Sequence, residues 1–451
     1  MRNNVNAIYY SFGIIVSRII ALVTFSLFSY FLSKQELGFY DLLLNSISFF
    51  LPIVSLQLGA ACSRFVREQH KLSNRVNDTI KTVLLFSVMF YVIALLVFLC
   101  VASLFQLEFK TTFFLIILVS SFLDLLRKIA KALDYIKVFS FSEISDGLGL
   151  LFFSVLFYFF SSKGLESIVY AYLCSSLLTT VFVFSYLNPV KWIFSGNFDV
   201  EILKELLHFS LPLVPNALSY WLLNIANRYI IVISLGVGAS GMYAVASKIP
   251  SFLSIFGTVF TLLLQEAVFG NTKNSPKDGY YSGLFLKLFC TQVTSAIVII
   301  AFSRQILRVL FLPIYYDTHN IIPLILAGVL FANFMSFFSV FYYGQKQTQK
   351  VLQTTIWGSI VNIVFTYTMI NRLGLYAPAI GSLLGFLTVW LIRIKDSNRY
   401  IKMHFEVKLM LQLSAFFILM AMLCQISNSY LEFFLMFISV VIFCFYNKLF
   451  N

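Results

Sequence analysis

Charge is what this chain has least of. Asp, Glu, Lys and Arg make up 11% of its 451 residues, against about 25% in an ordinary soluble domain. That shortage excludes a soluble globular protein. The four histidines, His70, His208, His319 and His404, are scattered, and no spacing among them suits a metal centre. The six cysteines (Cys62, Cys100, Cys174, Cys290, Cys424, Cys444) fall in or beside apolar runs and form no CxxC pair. They read as small buried hydrophobes, which excludes a disulfide framework and a thiolate metal site. No long polar segment is present either. The longest, about residues 63–79 and 188–205, are too short to fold as a catalytic domain, and no phosphate-cradling GxxxxGK[ST] loop occurs. The chain is therefore expected to be no enzyme, to hydrolyse no ATP and to carry no cofactor.

What is present is apolar. Hydrophobic residues reach 60%, with 52 Phe and 24 Tyr, and the mean hydropathy is +0.88. Runs long enough to cross a bilayer lie at about 7–32, 39–62, 80–104, 111–135, 139–160, 166–187, 208–235, 241–269, 281–303, 321–344, 353–371, 375–394, 408–427 and 429–447. The expected fold is an all-α polytopic membrane protein of about fourteen helices, the last two being the shortest. The first run is too long for a typical signal-peptide core and lacks a small-residue cleavage site. The aromatic residues suit lipid-facing and interfacial positions, and a few suit a lumen that receives sugar rings.

The formal net charge of +13 is written between the apolar runs. With the N-terminus inside, the inner segments hold about 23 cations, in clusters such as Arg64, Arg67, Lys71, Arg75 and Lys81, or Arg127, Lys128, Lys131 and Lys137. The outer segments hold about 6: Lys34, Lys110, Lys163, Arg304, Arg308 and Arg372. This asymmetry predicts cytoplasmic termini. It also attributes the basic balance to topology and argues against a nucleic-acid partner.

Three cations fall inside helices: Arg18, Arg228 and Lys248. Each costs at least ~2.5–3.5 kcal/mol in hydrocarbon and is expected to be paired, wet or functional. Arg228 and Lys248 lie about 7 residues on either side of the small-residue turn 236–241, hence on the order of 10 Å below one surface. No acid lies within a helical turn of either. Two like charges at matched depth suit an anion, with arginine as a fork and lysine as a point charge. The bland alternative for the pair is snorkelling to headgroups. Arg18 is nearer the midplane, where the alternatives are a lumen cation or a bond to carbonyls of a neighbouring helix.

An internal repeat supports a two-part architecture. Leu32-Ser-Lys-Gln-Glu-Leu-Gly-Phe-Tyr40 and Leu235-Gly-Val-Gly-Ala-Ser-Gly-Met-Tyr243 share Leu, Gly and Tyr at a constant offset of 203 residues. This predicts two six-helix lobes of the same orientation, residues 1–190 and 191–400, with helices 13 and 14 (401–451) appended and the substrate site between the lobes.

The same segments carry a resemblance. Phe209-Ser-Leu-Pro-Leu-Val-Pro-Asn-Ala-Leu218, Asn227-Arg-Tyr-Ile230 and Gly241-Met-Tyr-Ala-Val-Ala-Ser-Lys-Ile-Pro250 resemble the seventh- and eighth-helix signature of the polysaccharide biosynthesis (O-antigen flippase) family. That family belongs to the multidrug/oligosaccharidyl-lipid/polysaccharide (MOP) exporter superfamily. Glu36-Leu-Gly-Phe-Tyr40, Gly344-Gln-Lys-Gln-Thr348, Asn362 and Gly374-Leu-Tyr-Ala-Pro-Ala-Ile380 add weaker matches, and the similarity runs through about residues 1–400. The resemblance implies an exporter with a cationic lumen. Its substrate would be a lipid-pyrophosphate-linked oligosaccharide, flipped from the inner to the outer leaflet of a bacterial cytoplasmic membrane by alternating access, with membrane lipids and polysaccharide polymerase machinery as partners. Two departures stand out. Asn227 replaces the acid that often precedes the arginine, and Pro378 interrupts a usual Gly-Ala-Ala run.

Other polar residues complete the candidates. Pro212, Pro215, Asn216, Asn224 and Asn227 predict a kinked, polar seventh helix, because proline frees a carbonyl that must be re-satisfied or lie in a wet cavity. The alternative is a static kink. Asp124 and Glu266 are candidates for ion coupling. Against that, Asp124 has Arg127 and Lys128 within a turn, and Glu266 lies at a helix end. Glu143 and Asp146 read as acids favouring the start of the fifth helix. A multidrug or small-solute antiporter of the same superfamily remains the rival reading, although a site for cationic drugs favours intramembrane carboxylates, and here it is cations that occupy the helix interiors.

Overall fold

The structure is a computed structural model, and it describes residues 2–68, 73–101, 110–160, 164–270, 279–345, 347–397, 403–426 and 429–448. Every regular element among them is helical. Inside a bilayer this follows from the backbone, whose N–H and C=O groups must find partners within their own segment. Eight helices are long and apolar enough to cross a membrane by length and composition among the described residues, and shorter apolar helices cover 15–31, 407–423 and 434–446.

Two compact units are formed, Met1–Trp221 and Leu222–Asn451. The first holds α1 (Arg2–Phe31), α2 (Lys34–Ser55), α3 (Leu58–Glu68), α4 (Ser73–Val101), α5 (Lys110–Ala132), α6 (Ile136–Phe160), α7 (Leu165–Leu187), α8 (Val190–Ser195) and α9 (Val200–Ser210). The division falls inside α10 (Leu213–Leu235), after Trp221. The second unit continues with α11 (Val237–Gly270), α12 (Tyr280–Leu310), a 3-10 helix (Pro313–Asn320), α13 (Ile322–Gly344), α14 (Thr348–Leu373), α15 (Tyr376–Ser397), α16 (Val407–Leu423) and α17 (Ser429–Lys448).

Several elements depart from the hydropathy reading. The second apolar run is two helices, not one. Pro52 lies inside α2, and Leu56 and Gln57 then adopt left-handed backbone (φ 48° and 53°), which turns the chain before α3. The seventh run bends at Leu211 and Pro212, which form a turn between α9 and α10: Leu211 keeps right-handed helical backbone with its N–H on Leu207 O, so 200–235 counts as one span, and Pro215 occupies the first turn of α10, where proline is tolerated. Glu143 and Asp146 stand two to three turns inside α6, which begins at Ile136, so they are not helix-start acids.

One residue of the Glu36–Tyr40 motif explains itself structurally. Ser33 caps α2 and accepts from the Glu36 N–H at 3.3 Å, while the Glu36 carboxylate accepts from the Ser33 N–H at 2.9 Å. The other carboxylate oxygen accepts from the Leu165 N–H at 3.3 Å, at the start of α7. Glu36 thus satisfies orphan amides of two helices at once. Glu36→Ala is expected to cost about 1–2 kcal/mol, as other lost caps do, and to lower the thermal unfolding midpoint in detergent. Glu36→Gln, which keeps the acceptor, should recover most of the loss.

The segment between α7 and α10 is fastened to α4. Lys81 Nζ donates to Gly196 O at 2.8 Å, Asp78 accepts from the Asn197 N–H, and Thr82 Oγ1 accepts from the Asp199 N–H at 3.1 Å. Asp199 in turn caps α9.

In the second unit, α14 and α15 pack backbone to backbone. A Cβ at Gly385 would lie 2.7 Å from Gly358 O, and one at Gly381 would strike Thr366. Small residues are what permits such an approach in a membrane. Arg393, 1% exposed, staples three helices: its guanidinium donates to Met335 O and Ser339 on α13 and to Thr354, Thr355 and Val351 O on α14. The charge asymmetry counts Arg393 among the cations of the inner segments, between apolar runs, and the structure buries it. The two C-terminal helices pack on α12, tied there by Glu432 of α17, which pairs with Arg304 and Arg308 and accepts from Gln305 at 2.7 Å.

Candidate functional site

The hairpin of α10 and α11 carries both cations singled out by depth. Arg228 leans on α11: one Nη donates to Ser247 Oγ at 2.7 Å, and the guanidinium lies over the Tyr243 ring, 4.5 Å from its centroid. Tyr243 is buried, and Lys248 follows Ser247 directly. Arg228 therefore docks within one residue of Lys248, and both remain partly accessible. Two residues further, Pro250 lies inside α11 and cannot donate to the carbonyl one turn back, a natural place for a bend. A cation over a ring gains about 0.5–2 kcal/mol, which offsets part of the cost of holding Arg228 in the membrane.

The repeat gives this contact a reference. Tyr40 sits 203 residues before Tyr243, and it packs back on α1 through Phe25 and Phe28, at centroid distances of 6.5 and 5.2 Å. Phe25 lies 203 residues before Arg228. The same tyrosine thus rests on phenylalanine in one unit and on arginine in the other. An apolar ring meets the packing in the first unit, and the second unit holds a charge at the equivalent position.

Asn227, immediately before Arg228, faces the opposite way. It is 2% exposed and its amide donates to Asn362 Oδ1 (3.0 Å), Pro378 O (3.0 Å) and Ser382 Oγ (2.8 Å). Asn362 donates to Leu223 O at 2.9 Å and accepts from Thr366 at 3.3 Å. The matched Asn362 and the two departures, Asn227 and Pro378, therefore meet in one knot that joins α10, α14 and α15. Pro378 is accommodated because it lies in the first turn of α15 and contributes only its carbonyl. Asn216 and Asn224 are half-buried on α10, and Pro212 and Pro215 are exposed at the α9–α10 turn.

In the first unit Arg18 is exposed on α1, close enough to α6 for its charge to reach Glu143. α1 and α6 run parallel there, with Gly13 against Ser140 and Ile20 against Gly147. Asp124 pairs with Lys128 at 2.7 Å, the i, i+4 contact its spacing suggests. Arg127 does not join it. Instead it crosses to α6 and pairs with Glu143 and Asp146, each at 3.2 Å, while donating to Ser142 O at 2.9 Å. Spacing along α5 gave no hint of this, because the partners lie on another helix. The side chain of Glu266 lies outside the described residues. No group of three or more His, Cys, Asp or Glu among the described residues is arranged to hold a metal ion.

These features agree with what the chain resembles. No curated protein matches it in sequence. In fold it is similar to a lipid II flippase, MurJ, in an inward closed conformation, with a TM-score of 0.74 at 14% identity over 98% of each chain. It is also similar to a multidrug resistance MATE family transporter of the MOP superfamily, inward-facing, with a TM-score of 0.69 at 15% identity over 91% of this chain and 98% of that one. An outward-facing MATE transporter aligns with a TM-score of 0.63 at 16% identity, over 91% of this chain and 94% of that one. At such identities the likeness establishes the fold, that of MOP transporters. Residues 5–269, which contain the α10–α11 hairpin with Arg228 and Lys248, match the family described as polysaccharide biosynthesis protein, and the chain belongs to that family.

Proposed function

We propose that this multi-pass membrane protein flips a lipid-pyrophosphate-linked oligosaccharide, an O-antigen unit or a similar repeat, from the inner to the outer leaflet of a bacterial cytoplasmic membrane by alternating access. Both termini would be cytoplasmic, and polymerase machinery would take up the product. The observation that carries this reading is Arg228, held against Tyr243 and Ser247 beside Lys248 where the repeat-equivalent residue is Phe25. Phosphate oxygens accept charge-assisted bonds from an arginine fork, and a neighbouring lysine adds a second positive charge. Arg18 would be a further lumen cation. Two carboxylates well inside α6, Glu143 and Asp146, are already engaged by Arg127, which weighs against a multidrug antiporter.

The test is a leaflet assay. Purified protein in proteoliposomes loaded with a polyprenyl-pyrophosphate oligosaccharide should expose the glycan to an external glycosidase well above the rate of protein-free vesicles. Drug-driven proton release from the same vesicles, with no glycan exposure, would replace this reading with the antiporter.

A further inference from the structure

The first unit contains an aromatic and polar cluster that neither the cations nor the family match accounts for. Asp41, Asn45 and Ser48 lie on α2 at i, i+4 and i+7, on one face of a helix apolar enough to span the membrane. Asp41 is 5% exposed, and Asn45 donates to its carboxylate at 3.1 Å and to its carbonyl at 2.7 Å. Ser48 is exposed and Asn45 is half-buried. Trp221 of α10 meets this face edge-on: its indole N–H is shared between Asn45 O (3.0 Å) and Ser48 Oγ (3.1 Å). The indole ring lies against Phe49, with centroids 4.7 Å apart and planes inclined at 58°. A polar stripe with accessible surface is costly against lipid and belongs in a wet recess. The tryptophan there is oriented by its own N–H, so its ring is held in one attitude.

We infer that Trp221, with Phe49, Asn45 and Ser48, is a sugar-binding plate that reads the glycan of the lipid-linked substrate. A pyranose has an apolar C–H face and a rim of hydroxyls. The first packs on an aromatic face, and the second bonds to amide and hydroxyl groups at its edge, which is the pairing of surfaces found here. Asp41 is a positioning residue that fixes the Asn45 amide. The inference rests on the flippase reading but assigns a different role: the cations of the α10–α11 hairpin hold the pyrophosphate, and the α2 face selects the sugar.

The experiment compares two probes on the full chain in detergent: polyprenyl pyrophosphate carrying one N-acetylhexosamine, and bare polyprenyl pyrophosphate. The wild type should bind the glycosylated probe about tenfold more tightly, a difference of roughly 1.4 kcal/mol. Trp221→Ala should abolish that preference while leaving the affinity for the bare probe within about twofold, and Trp221→Phe should keep roughly half of it, since the ring remains. Arg228→Ala should weaken both probes and preserve their ratio. A preference that survives Trp221→Ala overturns the plate, as does a wild type that binds the two probes equally, and in both cases the flippase reading stands. Collapse of bare-probe binding in Trp221→Ala makes the residue structural and overturns the plate too. A wild type that binds neither probe overturns both readings.

Discussion

Arg228→Phe is expected to fold and to fail. The substitution installs at position 228 the residue that the repeat already places under Tyr40, so ring-on-ring packing against Tyr243 is available. Thermal stability in detergent should match the wild type or exceed it, because a desolvated charge has been removed from the membrane. Transport should fall by about two orders of magnitude, since a charge-assisted contact to an anion contributes roughly 1.5–3 kcal/mol. Arg228→Ala should show the same loss, with surface polysaccharide absent at normal protein abundance. Arg228→Lys should recover only part of the activity, having a point charge in place of a fork. Polysaccharide at wild-type levels in Arg228→Phe would remove this residue from the site.

The second large effect is expected at the C-terminal end of α12, where Glu432 is 9% exposed between Arg304 and Arg308. Glu432→Ala leaves Arg304, whose side chain is 11% exposed, as a buried cation without that acid. Removing one partner of such a pair costs about 3–5 kcal/mol. α16 and α17 should then detach from α12 first, visible as proteolysis between them before global unfolding. Arg304 also donates to His319 Nε2 at 2.8 Å and to Cys424 O at 3.1 Å. Arginine only donates, so Nε2 is the acceptor and Nδ1 carries the proton, which it gives to Tyr316 O at 2.9 Å. His319 is therefore neutral here. Burial, with Arg304 beside it, lowers its pKa below the ordinary histidine value, against weaker opposing effects from Tyr316, Asp317 and Glu432. The unfolded chain takes up this proton at higher pH than the folded one. The stability is therefore complete above about pH 6.5 and declines as pH falls below it toward the lowered native value. The unfolding midpoint should drop between pH 7.5 and 5, and His319→Gln, which still offers Arg304 an acceptor, should flatten that dependence.

Much of the architecture was legible without coordinates because hydropathy is additive along the chain. Among the described residues helices lie over most of each apolar run because lipid leaves the backbone no alternative. The deviations have local causes that hydropathy ignores: Pro52 with two left-handed residues split the second run, and Pro212 ended α9. Arg228 and Lys248 could be placed near one another because one short turn joins their helices, so sequence distance converts directly into depth. Asp124–Lys128 was legible for the same reason.

Partners on other helices were not. Arg127 had an acid one turn away and took two on α6 instead. Arg393, counted with the cations between apolar runs, spends its donors on carbonyls and hydroxyls of α13 and α14. Asn227, expected in a lumen, turned into the α14–α15 packing, and Trp221 crossed to α2. By itself, then, the sequence determined the membrane class, the helical spans and the cost of each buried charge, since each is a sum over neighbouring residues. Which group answers each charge was decided only by tertiary structure, because that depends on which helix faces come within about 3 Å of one another, a distance that spacing along a chain does not contain.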